Sequence, residues 1–139
     1  MKIAYETTAI ATGGRDGRAA TSDGSFEVRL ATPKELGGSG EGNNPEQLFA
    51  SGYAACFLGA MRFASTRQDL PKVPVDASVT ATVGIGPRDD EGFGLRVSLV
   101  VSLPGIDRDV AEALVAAADR ICPYSHATRG NIDVSLEVS

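Results

Sequence analysis

The stretch NNPEQLFASGYAACFLGAM, residues 43–61, ends in the least polar part of the chain, GYAACFLGAM (52–61). At the start of this stretch, Asn44 can cap a helix and Pro45 suits the first helical position. Glu46 follows, where a carboxylate stabilises the positive end of the helix dipole. We therefore predict a helix that begins at Asn44 and continues to about Thr66.

This helix is apolar on every side between Leu48 and Met61, a pattern typical of a helix that is buried all round. A domain of 139 residues can hardly surround a helix completely. We therefore expect a second copy of the chain to cover one face, in an intertwined homodimer.

Alternating apolar and polar residues predict the strands. The alternation covers residues 26–30, 75–85, 95–103 and 132–138, with a weaker candidate at residues 2–12. The sequence RDDEG at 88–92 predicts a hairpin turn. A second helix is expected from about Arg108 to Ile121, because Pro123 cannot continue it. The order ββαββαβ indicates a single α+β domain over residues 1–139 with mainly antiparallel strands.

The composition limits the class of protein. Hydrophobic residues make up 42% of the chain, which is enough for a real core. The net charge of −5 and the scattered basic residues argue against nucleic acid as a partner. Glu6 interrupts the apolar run of a signal peptide, and the Leu48–Met61 stretch is shorter than the ~20 residues of a membrane span. We expect a soluble, cytoplasmic protein with no membrane partner.

The chain has two cysteines, Cys56 inside the first helix and Cys122 at the end of the second. Four interpretations are open. Both can be inert core residues, the commonest fate of a buried thiol, or form a structural disulfide, which a reducing compartment disfavours. With His126 they can bind zinc, although three soft ligands without a CxxC pair make a poor set. Finally, they can be a reactive pair, a nucleophile and a resolving thiol.

A reactive Cys56 needs a positive charge from elsewhere in the fold. Cys122, at a helix C-terminus, faces partial negative charge that disfavours its thiolate. Cys56 lies in mid-helix, where burial alone raises the pKa, and a free thiol of pKa ~8.5 is only slightly ionised at neutral pH. A guanidinium braced by a carboxylate could lower that pKa, and the candidates are Arg15 in GGRDG (13–17) and Glu46. Taken alone, these segments are more typical of a solvated turn and of a helix start.

Four separated segments carry the strongest signal. They read ATGGRDG (11–17), NPEQLFASGYAACFLGA (44–60), GFGL (92–95) and CPYSHATRGNIDV (122–134). In this order, over almost the entire chain, they resemble the organic hydroperoxide resistance proteins, the Ohr branch of the OsmC-like family. The last segment points to the Ohr branch rather than to OsmC proper.

The resemblance implies an OsmC/Ohr-like fold and a thiol-dependent peroxidase that uses no metal, haem or flavin cofactor. Matched motif to motif, Cys56 takes the place of the peroxidatic cysteine and Cys122 that of the resolving cysteine. Arg15 matches the arginine that stabilises the thiolate, and Glu46 matches the glutamate that orients this arginine. One position departs from the family pattern: His126 stands where asparagine is usual, and we expect an exposed loop residue there.

The resemblance also implies the reaction and its partners. Cys56 cleaves the O–O bond of an organic hydroperoxide, releases an alcohol and becomes a sulfenic acid, which condenses with Cys122 to a disulfide. Dihydrolipoamide or a lipoylated protein is the expected reductant. An apolar wall beside Cys56 favours alkyl or fatty-acid hydroperoxides as substrates. We assign this substrate-binding wall to Leu48, Phe49, Tyr53 and Phe57.

The position of Glu46 raises a geometric difficulty. On one straight helix, Glu46 and Cys56 are separated by about 15 Å along the axis. One arginine can serve both only if the helix breaks near Gly52 or if Glu46 comes from the other chain. We therefore expect two sites built at the interface of a homodimer. A non-catalytic dimer that binds an apolar ligand and a zinc-bound structural module remain the alternatives.

Overall fold

The computed structural model describes residues 1–67 and 69–139. Among these residues the helices and strands are, in chain order, β1 (Ala9–Thr12), β2 (Arg18–Thr21), β3 (Glu27–Arg29), α1 (Pro45–Arg67), β4 (Ser78–Pro87), β5 (Phe93–Ser102), α2 (Arg108–Ile121), α3 (Pro123–Thr128) and β6 (Asp133–Val138). The chain divides into two compact units, residues 1–48 and residues 49–139. The expectation of one domain over residues 1–139 stays a prediction.

The first unit contains a sheet of three antiparallel strands in the order β1-β2-β3. The sequence predicts only two strands here, and β2 is the one it misses. Its four residues, RAAT, are too few and too uniform to show an alternation. The weak strand candidate at residues 2–12 is correct only for its last four residues, Ala9–Thr12.

Helix α1 begins as predicted, with a reciprocal pair of hydrogen bonds at its N-terminus. The Gln47 backbone N–H donates to Asn44 Oδ1 at 2.9 Å, and the Asn44 backbone N–H donates to Gln47 Oε1 at 3.0 Å. This capping box satisfies two backbone donors that the helix leaves unpaired. The helix runs without interruption from Pro45 to Arg67, so it does not break near Gly52.

The predicted burial of α1 on all sides is not met within one chain. One face is buried, and it consists of Tyr53, Phe57, Ala60, Met61 and Ala64. The other face leaves Ala55, Gly59 and Phe63 exposed. Apolar residues surround the helix as the sequence indicates, but a single chain does not cover all of them.

The second unit contains the sheet β4-β5-β6, in which β4 and β5 are antiparallel and β6 is parallel to β5. The predicted turn at 88–92 joins β4 to β5 and is closed by a 2.7 Å hydrogen bond from the Arg88 N–H to the Gly92 carbonyl oxygen. Val97, Leu99 and Val101 alternate along β5 and are buried in the core that also contains α1 and α2. Most strand pairs are antiparallel, as predicted.

Helix α2 has the predicted bounds, and Pro123 also begins a further helix. Cys122 closes α2, and Pro123 then occupies the first position of a further short helix, α3. The observed order therefore adds the strand β2 and the helix α3 to the predicted ββαββαβ. Within residues 1–67 and 69–139, none of the helices combines the length and the apolar character needed to cross a bilayer.

Candidate active site

Arg15 lies in a well-anchored turn rather than in a loose, solvated one. Gly13 adopts a φ of 74°, and a single turn of 3-10 helix, Gly14–Asp16, follows it. The Asp16 carboxylate accepts hydrogen bonds from the backbone N–H and the hydroxyl of Thr32, each at 2.9 Å. A Cβ atom at Gly17 would collide with the Thr12 carbonyl oxygen, so the turn is closed tightly by glycine.

Arg15 and Glu46 form a two-pronged ion pair inside the first unit. Arg15 Nη1 and Nη2 donate to Glu46 Oε2 and Oε1 at 2.8 and 2.6 Å. The Glu46 side chain is 13% exposed and that of Arg15 36%. The hydrogen bonds from Arg15 hold the pKa of Glu46 below its usual value, and the carboxylate raises the pKa of Arg15 in turn. The guanidinium is therefore charged and fixed in orientation at every pH at which a thiol titrates.

The two cysteines lie together inside the second unit. Cys56 Sγ is 3.3 Å from Cys122 Sγ, and both are free thiols. Cys122, in the joint between α2 and α3, has no exposed surface, whereas Cys56 on α1 is half-buried. The sulfur atoms need to approach by only about 1.3 Å to reach the S–S bond length of a disulfide.

Within its own unit, the Cys56 thiol is held in its protonated form. Burial raises the pKa of Cys56, the backbone N–H of Tyr124 opposes this rise by a hydrogen bond to the sulfur, and Cys122 adds to it. Tyr124 is not among the site residues that the sequence predicts. Its donor is a backbone group at the start of α3, so no side-chain pattern could have revealed it.

The four residues assigned to a substrate wall differ in their surroundings. Tyr53 and Phe57 have no exposed surface and belong to the core of the second unit. Phe49 is partly exposed, and its ring lies 5.9 Å from that of Tyr53. Leu48 is partly exposed at the end of the first unit. A fully buried side chain cannot touch a bound substrate in this conformation, and the substrate-binding role of the four residues stays a prediction.

His126 is exposed, as expected, but it lies on α3 and not in a loop. Its backbone N–H donates to the Cys122 carbonyl oxygen at 2.9 Å, which is the first turn of that helix. Across the described part of the chain, no three or more His, Cys, Asp or Glu side chains come together in a group that could hold a metal ion.

Comparisons with known proteins show which family the chain resembles. The sequence model of the family described as OsmC-like protein matches residues 38–137. The organic hydroperoxide resistance protein of Xanthomonas axonopodis pv. citri is 52% identical over 139 residues, which cover 99% of this chain and 96% of that protein.

Solved structures agree with this assignment. A crystal structure of an organic hydroperoxide resistance protein from Legionella pneumophila is 48% identical, with a TM-score of 0.93 and 99% of each chain covered. The organic hydroperoxide resistance protein OhrB of Bacillus subtilis is 40% identical, with a TM-score of 0.85 over 97% of this chain and 98% of its own. The motifs, the fold and these relatives together show that the chain belongs to the OsmC/Ohr family.

Proposed function

We propose that the protein is a cysteine-based peroxidase that reduces organic hydroperoxides to alcohols. Relatives named for organic hydroperoxide resistance support that role and redox chemistry at this site. The observation that carries the finer proposal is the 3.3 Å separation of the two thiol sulfurs, with Cys56 half-buried and Cys122 fully buried. An accessible nucleophile with a protected thiol beside it is the arrangement that a two-step thiol cycle requires.

The proposed cycle has three steps. The Cys56 thiolate attacks one peroxide oxygen of ROOH, which gives Cys56–SOH and an alkoxide that takes up a proton to become ROH. Cys122–SH then condenses with Cys56–SOH to give the Cys56–S–S–Cys122 disulfide and water. A dithiol, dihydrolipoamide or a lipoylated protein, reduces this disulfide by two thiol–disulfide exchanges and leaves as its own cyclic disulfide. No step calls for a metal or an organic cofactor.

Arg15 is proposed to stabilise the Cys56 thiolate, with Glu46 as the group that orients it. Burial raises the pKa of Cys56, so the reaction at neutral pH needs a cation beside the sulfur. The Arg15 guanidinium is already charged and fixed by two hydrogen bonds to Glu46. Because α1 is unbroken from Pro45 to Arg67, we propose that the Arg15–Glu46 pair of one chain serves Cys56 of the other.

A homodimer is therefore part of the proposal. The exposed face of α1 presents Ser51, Ala55 and Gly59 at successive turns, and small side chains allow two helices to approach closely. The first unit also exposes large apolar side chains, namely Ile3, Tyr5, Ile10 and Phe26. Surfaces of this kind on a globular protein favour association with a partner.

The substrate class follows from the surroundings of Cys56. Cys56 and the partly exposed Phe49 both pack against the apolar core of the second unit, and such surroundings suit alkyl or fatty-acid hydroperoxides better than hydrogen peroxide. We propose a cytoplasmic protein that takes part in the response to oxidative stress, because the thiols need a reducing compartment to be recycled. Neither nucleic acid nor a membrane is a proposed partner.

The function is tested by adding one equivalent of cumene hydroperoxide to the reduced protein. We expect rapid loss of both thiols, formation of cumyl alcohol and a mass change that corresponds to one intramolecular disulfide. Thiol titration, chromatography of the alcohol and intact mass are the measurements. A slow reaction without alcohol would support an apolar-ligand carrier, and release of zinc on oxidation would support a structural metal module; either result contradicts the proposal.

The dimer is tested at the exposed face of α1. We expect the wild-type protein to have the mass of two chains in sedimentation equilibrium, and Ala55→Arg to give monomers, because a charge replaces a small side chain on that face. Ala113→Arg, on the exposed face of α2, is the matched control and should remain dimeric. A monomeric wild-type protein with full peroxidase activity contradicts the shared site.

A further inference from the structure

A buried cluster of three hydroxyl groups joins α3 to α1, one helical turn before Cys56. Its members are Tyr53, Ser125 and Thr128, which are 0%, 2% and 3% exposed. The Tyr53 hydroxyl lies 3.0 Å from Ser125 Oγ and 3.2 Å from Thr128 Oγ1. Because α3 starts immediately after Cys122, the cluster connects the helix that carries one thiol to the segment that carries the other.

The hydroxyl protons of this cluster have one consistent arrangement. Thr128 donates its proton to the backbone carbonyl oxygens of Tyr124 and Ser125, at 3.0 and 3.2 Å. A hydroxyl carries a single proton, so Thr128 accepts from Tyr53, and Tyr53 in turn accepts from Ser125. All three protons are used, and the Tyr53 oxygen is the group that bonds both α3 side chains to α1.

Other side-chain hydrogen bonds tie α3 to α2 rather than to α1: Arg129, just past the end of α3, donates to the carbonyl oxygen and the carboxylate of Asp119, each at 2.8 Å. The helix is six residues long, and the side chain of its N-cap residue, Cys122, makes no capping hydrogen bond. The Tyr124 ring packs 5.7 Å from the Tyr53 ring and 5.8 Å from the Phe49 ring. Ring contacts tolerate a broad range of offsets, whereas hydrogen bonds restrict both distance and angle. In the described part of the chain, the hydroxyl cluster supplies the side-chain hydrogen bonds between α3 and α1, so it restricts the register of α3 along α1.

Gly52 on α1 favours the same position of α3 along α1, because it leaves room for the Tyr124 ring. A Cβ atom at this position would lie 2.9 Å from the Tyr124 hydroxyl oxygen and 3.2 Å from the ring, so the absence of a side chain gives the Tyr124 ring its place on α1. With that ring in place, the Tyr124 backbone N–H lowers the pKa of Cys56 and so opposes the rise that burial causes.

We propose that Tyr53 is a positioning residue for disulfide formation, because its hydroxyl holds α3 where Cys122 Sγ faces Cys56 Sγ. This inference rests on the thiol chemistry proposed above. It gives Tyr53 a role different from substrate contact, which its complete burial disfavours.

The proposed role of Tyr53 concerns two competing reactions of the sulfenic acid Cys56–SOH. From Cys56–SOH, the resolving step uses Cys122–SH and yields the disulfide and water. The competing step uses a second ROOH, which oxidises Cys56–SOH to the sulfinic acid Cys56–SO2H and is itself reduced to ROH. The disulfide can be reduced again and the sulfinic acid cannot. By keeping Cys122 in place, the Tyr53 hydroxyl favours the reversible product.

Tyr53→Phe tests this role, since it removes one oxygen and leaves the Ser125 donor and the Thr128 acceptor without their partner. We expect the ratio of disulfide to sulfinic acid, at a fixed excess of cumene hydroperoxide, to fall about five- to tenfold, the loss that corresponds to a broken buried hydrogen bond. Both products form from the same sulfenic acid, so the ratio does not depend on the rate at which that acid forms. Rapid quenching, alkylation and intact mass measure it.

Variants at Thr128 provide an independent test. Thr128→Val keeps the side-chain shape without the hydroxyl and should lower the ratio as Tyr53→Phe does, whereas Thr128→Ser keeps the hydroxyl and should restore it. Thr82→Val, at an exposed threonine on β4, controls for the loss of a threonine hydroxyl elsewhere. A wild-type ratio in both Tyr53→Phe and Thr128→Val overturns the positioning role. Should the wild-type protein form neither product, the proposed peroxidase function fails instead.

Discussion

Replacing Cys56 with serine should reduce hydroperoxide reduction to the rate of the buffer alone. A serine hydroxyl is not ionised at neutral pH and is a far weaker nucleophile toward a peroxide oxygen than a thiolate. The substitution changes one atom of a half-buried side chain, so the fold should be kept. Consumption of cumene hydroperoxide in the presence of dihydrolipoamide is the measurement, with circular dichroism as the check on folding.

Replacing Cys122 with serine should separate the two halves of the cycle. The first oxidation of Cys56 is expected to proceed, because Cys122 takes no part in O–O cleavage, but no intramolecular disulfide can follow. The sulfenic acid should then be trapped by dimedone, and an excess of hydroperoxide should carry Cys56 to the sulfinic acid within a few turnovers. Intact mass distinguishes these products.

The two cysteine variants control for each other, since the chain contains only two cysteines and every lost thiol can be assigned. The contrast decides between a reactive pair and two inert core residues. Equal activity in Cys56→Ser and the wild-type protein contradicts the nucleophile, and dihydrolipoamide-dependent turnover that is undiminished in Cys122→Ser contradicts the resolving thiol.

The parts of the fold that the sequence predicts well are those whose signals are local. Asn44 and Pro45 predict the start of α1. Asn44 forms the expected capping hydrogen bonds, with Gln47 as its partner. The hairpin at 88–92 follows from ten-residue alternating strands on both sides. Strand β2 and helix α3 could not be found in this way, because each is too short to show a period and depends on the neighbours it pairs with or packs against.

The candidate site was predictable only in part, for a similar reason. The low polarity around Cys56 shows from the residues alone that its thiolate needs a cation, but pairing Arg15 with Glu46, 31 positions apart, requires either the resemblance or the fold. The Tyr124 N–H and the hydroxyl cluster of Tyr53 arise from the packing of α3, an element that no pattern in the sequence predicts. A contact made by a helix that the sequence does not predict cannot be predicted from the sequence pattern either.

Replacing Arg15 with alanine should raise the pKa of Cys56 and slow its first oxidation at neutral pH by about 10- to 1,000-fold, since an adjacent cation lowers such a pKa by roughly one to three units. Burial already raises that pKa, so without the guanidinium the thiol stays protonated at neutral pH. The rate should recover as the pH rises through the new pKa. Single-turnover rates across pH measure the shift, and Arg18→Ala, which breaks an exposed ion pair with Glu27, is the matched control. An unchanged pH profile in Arg15→Ala contradicts the role of Arg15.

Mixed dimers show which chain supplies the guanidinium. Arg15 and Glu46 bind each other within one chain, so they move together. If they serve Cys56 of the other chain, an Arg15→Ala chain paired with a Cys56→Ser chain contains one intact site. Co-refolding equal amounts of these two inactive proteins should then restore about one quarter of the wild-type sites, because half of the dimers are mixed and each has one of two sites. A double variant, with both substitutions in one chain, gives the converse: paired with a wild-type chain it should have no intact site. In an equal mixture of the double variant with the wild-type protein, the shared site leaves about one quarter of the sites intact, all of them in wild-type homodimers, whereas a site built within one chain leaves about one half. About one half in this mixture, with no restoration in the first, assigns Arg15 to the Cys56 of its own chain and overturns the shared site.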